Sequence, residues 1–183
     1  NVEFSMQNWT ADYDQDTDAQ IINPQLLSGA DILVLQVPII PYSDYEIQTI
    51  KEFFQEGGSV LLLASNSETI ATQSVNQLFS TLGADLAVAE ENIFNLFDYG
   101  IFAGYSSNTI ENFSHAQIFD GVEEFEFGFG TTFDVGANSQ EIFSYNNKTL
   151  GVEYSPGSGS GNLVAFGDYQ MFLDYFYADY ELY

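Results

Sequence analysis

The clearest pattern of apolar and polar positions along the chain predicts a strand, a helix and a second strand between residues 30 and 67. Asp31–Val37 is an almost continuous aliphatic run that Pro38 ends, as in a strand covered on both faces of a parallel sheet. Apolar residues then recur at helical spacing, and Val60–Ala64 is a second aliphatic run. Because parallel strands need a crossover connection, the segment predicts a right-handed βαβ unit.

A capping box marks the start of the helix. Ser43 precedes Glu46 by three residues, so the serine hydroxyl can accept from the backbone N–H of Glu46 while the glutamate side chain reaches back. Gly57 and Gly58 follow the apolar stripe, and glycine readily adopts the left-handed conformation that ends helices. We therefore expect the helix to lie between Ser43 and this glycine pair.

A second amphipathic helix is predicted after the second strand. Its apolar stripe consists of Ile70, Val75, Leu78, Phe79 and Leu82. Ser65 or Ser67 is expected to cap this helix and Gly83 to end it. A short strand over Ala84–Ala89 is expected to follow.

The second half of the chain shows the pattern of β-strands. Strands are expected at residues 124–129, 142–145, 150–154 and 162–166. The middle two would form a hairpin around Asn146 and Asn147. Residues 90–114 mix aromatic residues with Asn, Gly and Ser, and we interpret them as an irregular insertion. The fold class predicted is α/β, with a doubly wound, mostly parallel sheet and a β-rich C-terminal half.

Composition limits the possible functions. The chain has 183 residues, 45% of them hydrophobic, which suits one domain over residues 1–183 with a substantial core. It has 27 acidic residues and only two lysines, giving a net charge of −25. Such a surface disfavours nucleic acid and anionic membranes as partners and favours cations or basic proteins. No cysteine is present, which excludes disulfides and thiolate sites, and no apolar run approaches the roughly 20 residues that span a bilayer.

Several features favour an extracellular or cell-surface location. Three Asn-x-Ser/Thr sequons, at Asn8, Asn112 and Asn147, are candidate glycosylation sites. The chain begins with Asn1 rather than Met, and we interpret it as a fragment or processed part of a longer protein. The lack of cysteine suits a surface protein that does without disulfides.

Four segments match those of a known family in order. They read LLSGADILVLQVP, SDYEIQTIKEFFQEGGSVLLLAS, HAQIFDGVEEF and GNLVAFGD. Together they resemble the class I glutamine amidotransferase-like fold, and in particular its non-catalytic branch in gliding-motility transporter components and intraflagellar transport proteins. The resemblance implies a flavodoxin-like sheet. In the catalytic members a cysteine follows the strand that corresponds to Val60–Ala64, but this chain has Ala64, Ser65 and Asn66 in that region, which implies a non-enzymatic domain.

Ser65 is nevertheless a candidate nucleophile, because a strand-to-helix turn could present its hydroxyl. His115 is the only histidine and hence the only conventional general base. However, the flanking residues lack the glycines of the Gly-x-Ser-x-Gly motif, and the resemblance places His115 on a loop entering the later half of the domain. The alternative is a helix-capping role for Ser65 and a structural role for His115.

Four aspartates alternate near the N-terminus: Asp12, Asp14, Asp16 and Asp18. Carboxylate-rich loops of this kind suit Ca²⁺, which prefers six to eight oxygen ligands. Counted from Asp12, an EF-hand would need glycine and glutamate where this chain has Thr17 and Asn23. The sequence therefore predicts either a calcium loop of another type or a solvated acidic loop.

Asp168 follows the last predicted strand, at the edge of a doubly wound sheet that carries ligands. It could bind a ligand there or cap a following helix. The function predicted first is a structural or interaction domain that contacts other copies or neighbouring domains and self-assembles into a layer or filament. It is based on the missing catalytic chemistry, the extreme acidity, the resemblance to non-catalytic members and the aromatic residues that cluster at 94–105 and 169–183. Ordinary core packing is the alternative for these aromatic residues. The alternatives are a small-ligand or glycan-binding module at the C-terminal edge of the sheet, and a degraded serine hydrolase that uses Ser65 and His115.

Overall fold

Three helices and nine strands form within the part of the chain that the computed structural model describes, namely residues 21–36, 38–65, 70–93, 108–110, 125–127 and 130–169. The helices are α1 (Pro24–Leu27), α2 (Asp44–Gln55) and α3 (Thr72–Leu82). The strands are β1 (Ile32–Gln36), β2 (Ser59–Leu63), β3 (Leu86–Ile93), β4 (Asn108–Ile110), β5 (Phe125–Phe127), β6 (Gly130–Val135), β7 (Gln140–Tyr145), β8 (Lys148–Tyr154) and β9 (Leu163–Phe166).

The main sheet is mixed but mainly parallel, as the α/β pattern predicts. Its strand order is β1-β2-β9-β8-β7. β1, β2 and β9 run parallel, β8 is antiparallel to β9, and β7 is antiparallel to β8. Four of the five strands therefore point in the same direction. The pairs β3-β6 and β4-β5 form two smaller antiparallel sheets.

The predicted capping box at the start of α2 is confirmed. The hydroxyl of Ser43 accepts from the backbone N–H of Glu46 at 3.3 Å, and Glu46 Oε2 accepts from the backbone N–H of Ser43 at 2.9 Å. Glu46 Oε1 also accepts from the backbone N–H of Ile22 at 3.2 Å. One side chain thus caps α2 and ties it to the segment that precedes α1.

Helices α2 and α3 cover the same face of the main sheet. Their buried residues share one core with the sheet residues Leu35, Val60, Leu62, Val152, Leu163 and Ala165. On the other face, a smaller core contains Leu63, Ile142, Phe143, Leu150 and Phe166. A doubly wound fold has helices on both faces, and the two long helices among the described residues occupy one.

Strand β1 differs from the expectation of a strand covered on both faces. Leu35 is buried under the helices, but Ile32 and Val34 are 59% and 52% exposed. The reason is positional: β1 ends the order of the described strands, and α2 and α3 lie on one side of it only. The aliphatic composition of β1 therefore does not indicate that both of its faces are buried.

The predicted cap of α3 is wrong. The helix begins at Thr72, and its N-cap residue is Ala71, which makes no side-chain cap hydrogen bond. Ser65 lies two residues after the end of β2, and Ser67 lies outside the described residues. Instead, the backbone N–H of Ala71 donates to the carbonyl of Pro38 at 2.6 Å. A long-range contact thus sets the start of the helix where a local cap is expected.

Two turns agree with the residues that predict them. Gly83 ends α3 with φ 87°, and the β7–β8 hairpin turns at Asn146 and Asn147 with φ 52° and 61°. Asparagine tolerates this left-handed region, which two-residue hairpin turns require.

Strand β6 is not among the predicted elements. Residues 90–114, expected to be an irregular insertion, contain the end of strand β3, which extends to Ile93, and the whole of strand β4.

The environment of Tyr42 leads us to expect alkaline destabilisation. Burial, and then the negative charge of Glu46, raise the pKa of the Tyr42 phenol above its ordinary value. In the unfolded chain this group ionises near pH 10. Its contribution to stability should therefore be complete below about pH 10 and decrease at higher pH, where only the unfolded chain ionises readily. Urea unfolding between about pH 8 and 11 should show a shallower decline in Tyr42→Phe than in the exposed control Tyr45→Phe. Equal declines would contradict this assignment.

Candidate functional site

The carboxyl edge of the main sheet brings Ser65 and Asp168 to neighbouring strand ends. Ser65 follows β2 and Asp168 follows β9, and these strands are parallel neighbours with Leu63 opposite Phe166. Both polar residues are buried, Ser65 with 7% of its surface exposed and Asp168 with none. The structure therefore places two of the candidate residues from the sequence, Ser65 and Asp168, at neighbouring strand ends.

Backbone hydrogen bonds hold the end of β9 in place. The N–H of Gly167 donates to the carbonyl of Leu150 at 2.8 Å, and the carbonyl of Gly167 accepts from the N–H of Thr131 at 3.0 Å. A Cβ at position 167 would overlap the carbonyl oxygen of Thr131. Glycine at this position thus allows β6 and β8 to approach the end of β9 closely.

Asp168 lies in an irregularity of the parallel ladder. The N–H of Ala64 donates to the carbonyl of Phe166 at 2.8 Å, so a regular ladder would next bond the carbonyl of Ala64 to the N–H of Asp168. Instead, that carbonyl accepts from Tyr169 at 2.8 Å. One extra residue is inserted, as in a β-bulge, and bulges reorient side chains at sheet ends.

This arrangement does not form a serine hydrolase site within the described residues. A serine nucleophile needs a base within hydrogen-bond distance and access for the substrate. His115 lies outside the described residues, whose ranges contain no histidine. Ser65 is itself almost inaccessible to solvent. Ser65 and Asp168 are therefore both buried at the strand ends.

A cavity of about 360 Å³ lies at the opposite edge of the sheet. It is bordered by α1, the turn after it and the second half of α2, with the side chains of Glu52 and Glu56 in its wall. The residues Ala30 and Gly58, just before β1 and β2, also line it. The cavity is thus at the amino ends of these strands, away from Ser65 and Asp168.

Most of the other candidate sites fall outside the described residues. These are the calcium candidates Asp12, Asp14, Asp16 and Asp18 and the sequons at Asn8 and Asn112. Asn147 is exposed at the turn of the β7–β8 hairpin, so its side chain is accessible. Its neighbour Lys148 forms an ion pair with Glu91. Calcium binding and glycosylation remain predictions.

Sequence reasoning missed an exposed apolar surface around β1. Six large hydrophobic residues have between 49% and 62% of their surface exposed: Ile21, Ile32, Val34, Ile39, Ile40 and Tyr45. All six lie between residues 21 and 45: Ile32 and Val34 are in β1, Tyr45 is in the first turn of α2, and the other three are outside the helices and strands. We call this set the β1 apolar surface. The signal available in the sequence was the Pro38-Ile39-Ile40-Pro41 segment, in which two isoleucines lie between prolines that prevent regular structure.

We expect Ser65 not to react with a serine-directed probe. Because its hydroxyl is buried, a fluorophosphonate should leave the native protein unlabelled, as judged by intact mass. The variant Ser65→Ala should give the same mass profile apart from the substitution. An adduct that disappears in Ser65→Ala and decreases in His115→Ala would instead demonstrate a working nucleophile and base.

Comparisons with known proteins identify related folds. No protein-family model matches the chain, and no curated protein matches it. Among solved structures, the mmIFT52 N-terminal domain superposes with a TM-score of 0.67 at 18% identity, covering 84% of this chain and 72% of that one. This match agrees with the intraflagellar transport part of the resemblance.

Two bacterial structures are also similar. The cytoplasmic protein STM1381 from Salmonella typhimurium LT2 gives a TM-score of 0.57 at 15% identity, and the cytoplasmic protein STM3548 from Salmonella typhimurium gives 0.53 at 10%. Each match covers 80% of this chain but only 64% and 63% of the two relatives. At such identities the likeness concerns the fold. None of the helices in the described ranges has the length and apolar character needed to cross a membrane.

Proposed function

We propose that the chain is a non-enzymatic interaction domain of an acidic cell-surface or extracellular protein. The β1 apolar surface is the observation that carries this proposal. Soluble proteins rarely expose large contiguous apolar patches unless the patches contact a partner. Here six large apolar side chains are exposed between residues 21 and 45, and two of them, Ile32 and Val34, share one face of β1.

The carboxyl edge of the sheet supports a role without catalysis. In the proposed amidotransferase-like fold, Ser65 lies in the region where the catalytic members carry a cysteine. A serine buried beside the end of β9 lacks the access for a substrate that nucleophilic catalysis requires. Asp168 and Gly167 then stabilise the strand ends.

We further propose that the sheet is completed in the doubly wound manner of this fold family. The β1-α2-β2 order and the similarity to the mmIFT52 N-terminal domain support this arrangement. The helices α2 and α3 cover one face, whereas the other face leaves Ile32 and Val34 exposed. Among the described residues, this part of the sheet is where the doubly wound arrangement lacks cover.

Contacts with other copies in a layer or filament are opposed by charge. Each copy carries −25, so repulsion between copies is strong at low salt. Raising the salt from about 0.1 M to about 1 M shortens the Debye length from ~10 Å to ~3 Å. If the chain self-assembles, sedimentation velocity should therefore show larger species at the higher salt concentration.

A stability measurement tests whether the β1 apolar surface serves a partner or the fold itself. The double substitution Ile32→Thr/Ile40→Thr should change the free energy of unfolding by no more than about 0.5 kcal/mol per site, as at other exposed positions. The control Leu35→Ala, on the buried side of the same strand, should cost about 2–5 kcal/mol. A loss in the double variant as large as that of the control would show that these residues are needed for folding and would contradict the proposal.

A further inference from the structure

We draw no further inference here: the strongest candidate, the cavity bounded by α1 and the second half of α2, carries an acidic pair, Glu52 and Glu56, in its wall, but no second feature of the described residues points to a ligand that it would bind.

Discussion

Gly167→Ala is expected to lower the free energy of unfolding by about 3 kcal/mol. A Cβ at this position would overlap the carbonyl oxygen of Thr131 and approach that of Leu150 at 3.3 Å. Both obstacles are backbone atoms, so no side-chain rotation can relieve the overlap. The strands must separate instead, which weakens the two hydrogen bonds that Gly167 makes with them.

Chemical denaturation of the variant and the original chain measures this loss. Gly157→Ala is the matched control, because a Cβ at that position would meet nothing within 4 Å and only the left-handed φ of 106° opposes it. That backbone strain should cost about 1–2 kcal/mol. Gly167→Ala should also loosen the carboxyl edge of the sheet, so amide hydrogen exchange at Ala64 and Tyr169 should become faster. Similar stability of Gly167→Ala and the original chain would mean that β6 and β8 do not approach β9 this closely.

Phe79→Ala is expected to cost about 3–5 kcal/mol, the usual range for removing a fully buried aromatic ring. Phe79 lies on α3 with none of its surface exposed, and its ring centroid is 6.3 Å from that of Phe133 on β6. It therefore connects three parts of the molecule: α3, the core over the main sheet, and the small β3-β6 sheet. Truncation of the Phe79 ring leaves a cavity, and the three surrounding parts cannot all move in to fill it.

The same denaturation experiment measures this variant. Gln73→Ala, on the exposed side of the same helix, is the control and should change stability by less than about 0.5 kcal/mol. Amide exchange should additionally become faster in β3 and β6 than in β1 and β2 when Phe79 is truncated. A cost below about 1 kcal/mol would be inconsistent with a single core that includes α3.

The elements predicted most successfully are those whose cause is local. Ser43 and Glu46 define the start of α2 through contacts three residues apart, and Asn146 and Asn147 adopt the left-handed conformations that a tight hairpin needs. Gly83 ends α3 in the same way. Each of these features depends on the backbone geometry of a few neighbouring residues, and the types of those residues predict that geometry.

The candidate site was predicted only in part. That Ser65 and Asp168 follow strands could be inferred from aliphatic runs, and a parallel sheet then places both at one edge. Their burial could not be inferred, because it depends on tertiary packing around the strand ends, where β6 and β8 approach Gly167 closely. The start of α3 was missed for a similar reason, since Pro38 supplies the acceptor for Ala71 across more than thirty residues of chain.

By itself, the sequence determined the βαβ unit, the mainly parallel α/β sheet, the hairpin and a strongly acidic surface, because periodicity, caps, turn residues and charge are properties of neighbouring residues. Only the tertiary structure decided that α2 and α3 cover the same face, that Asp168 and Ser65 are buried, and that β1 ends the order of the described strands. An aliphatic strand has the same sequence whether both of its faces are covered or only one. The neighbours that remove its side chains from water come from distant parts of the chain, and at Ile32 and Val34 the described part of the chain supplies none.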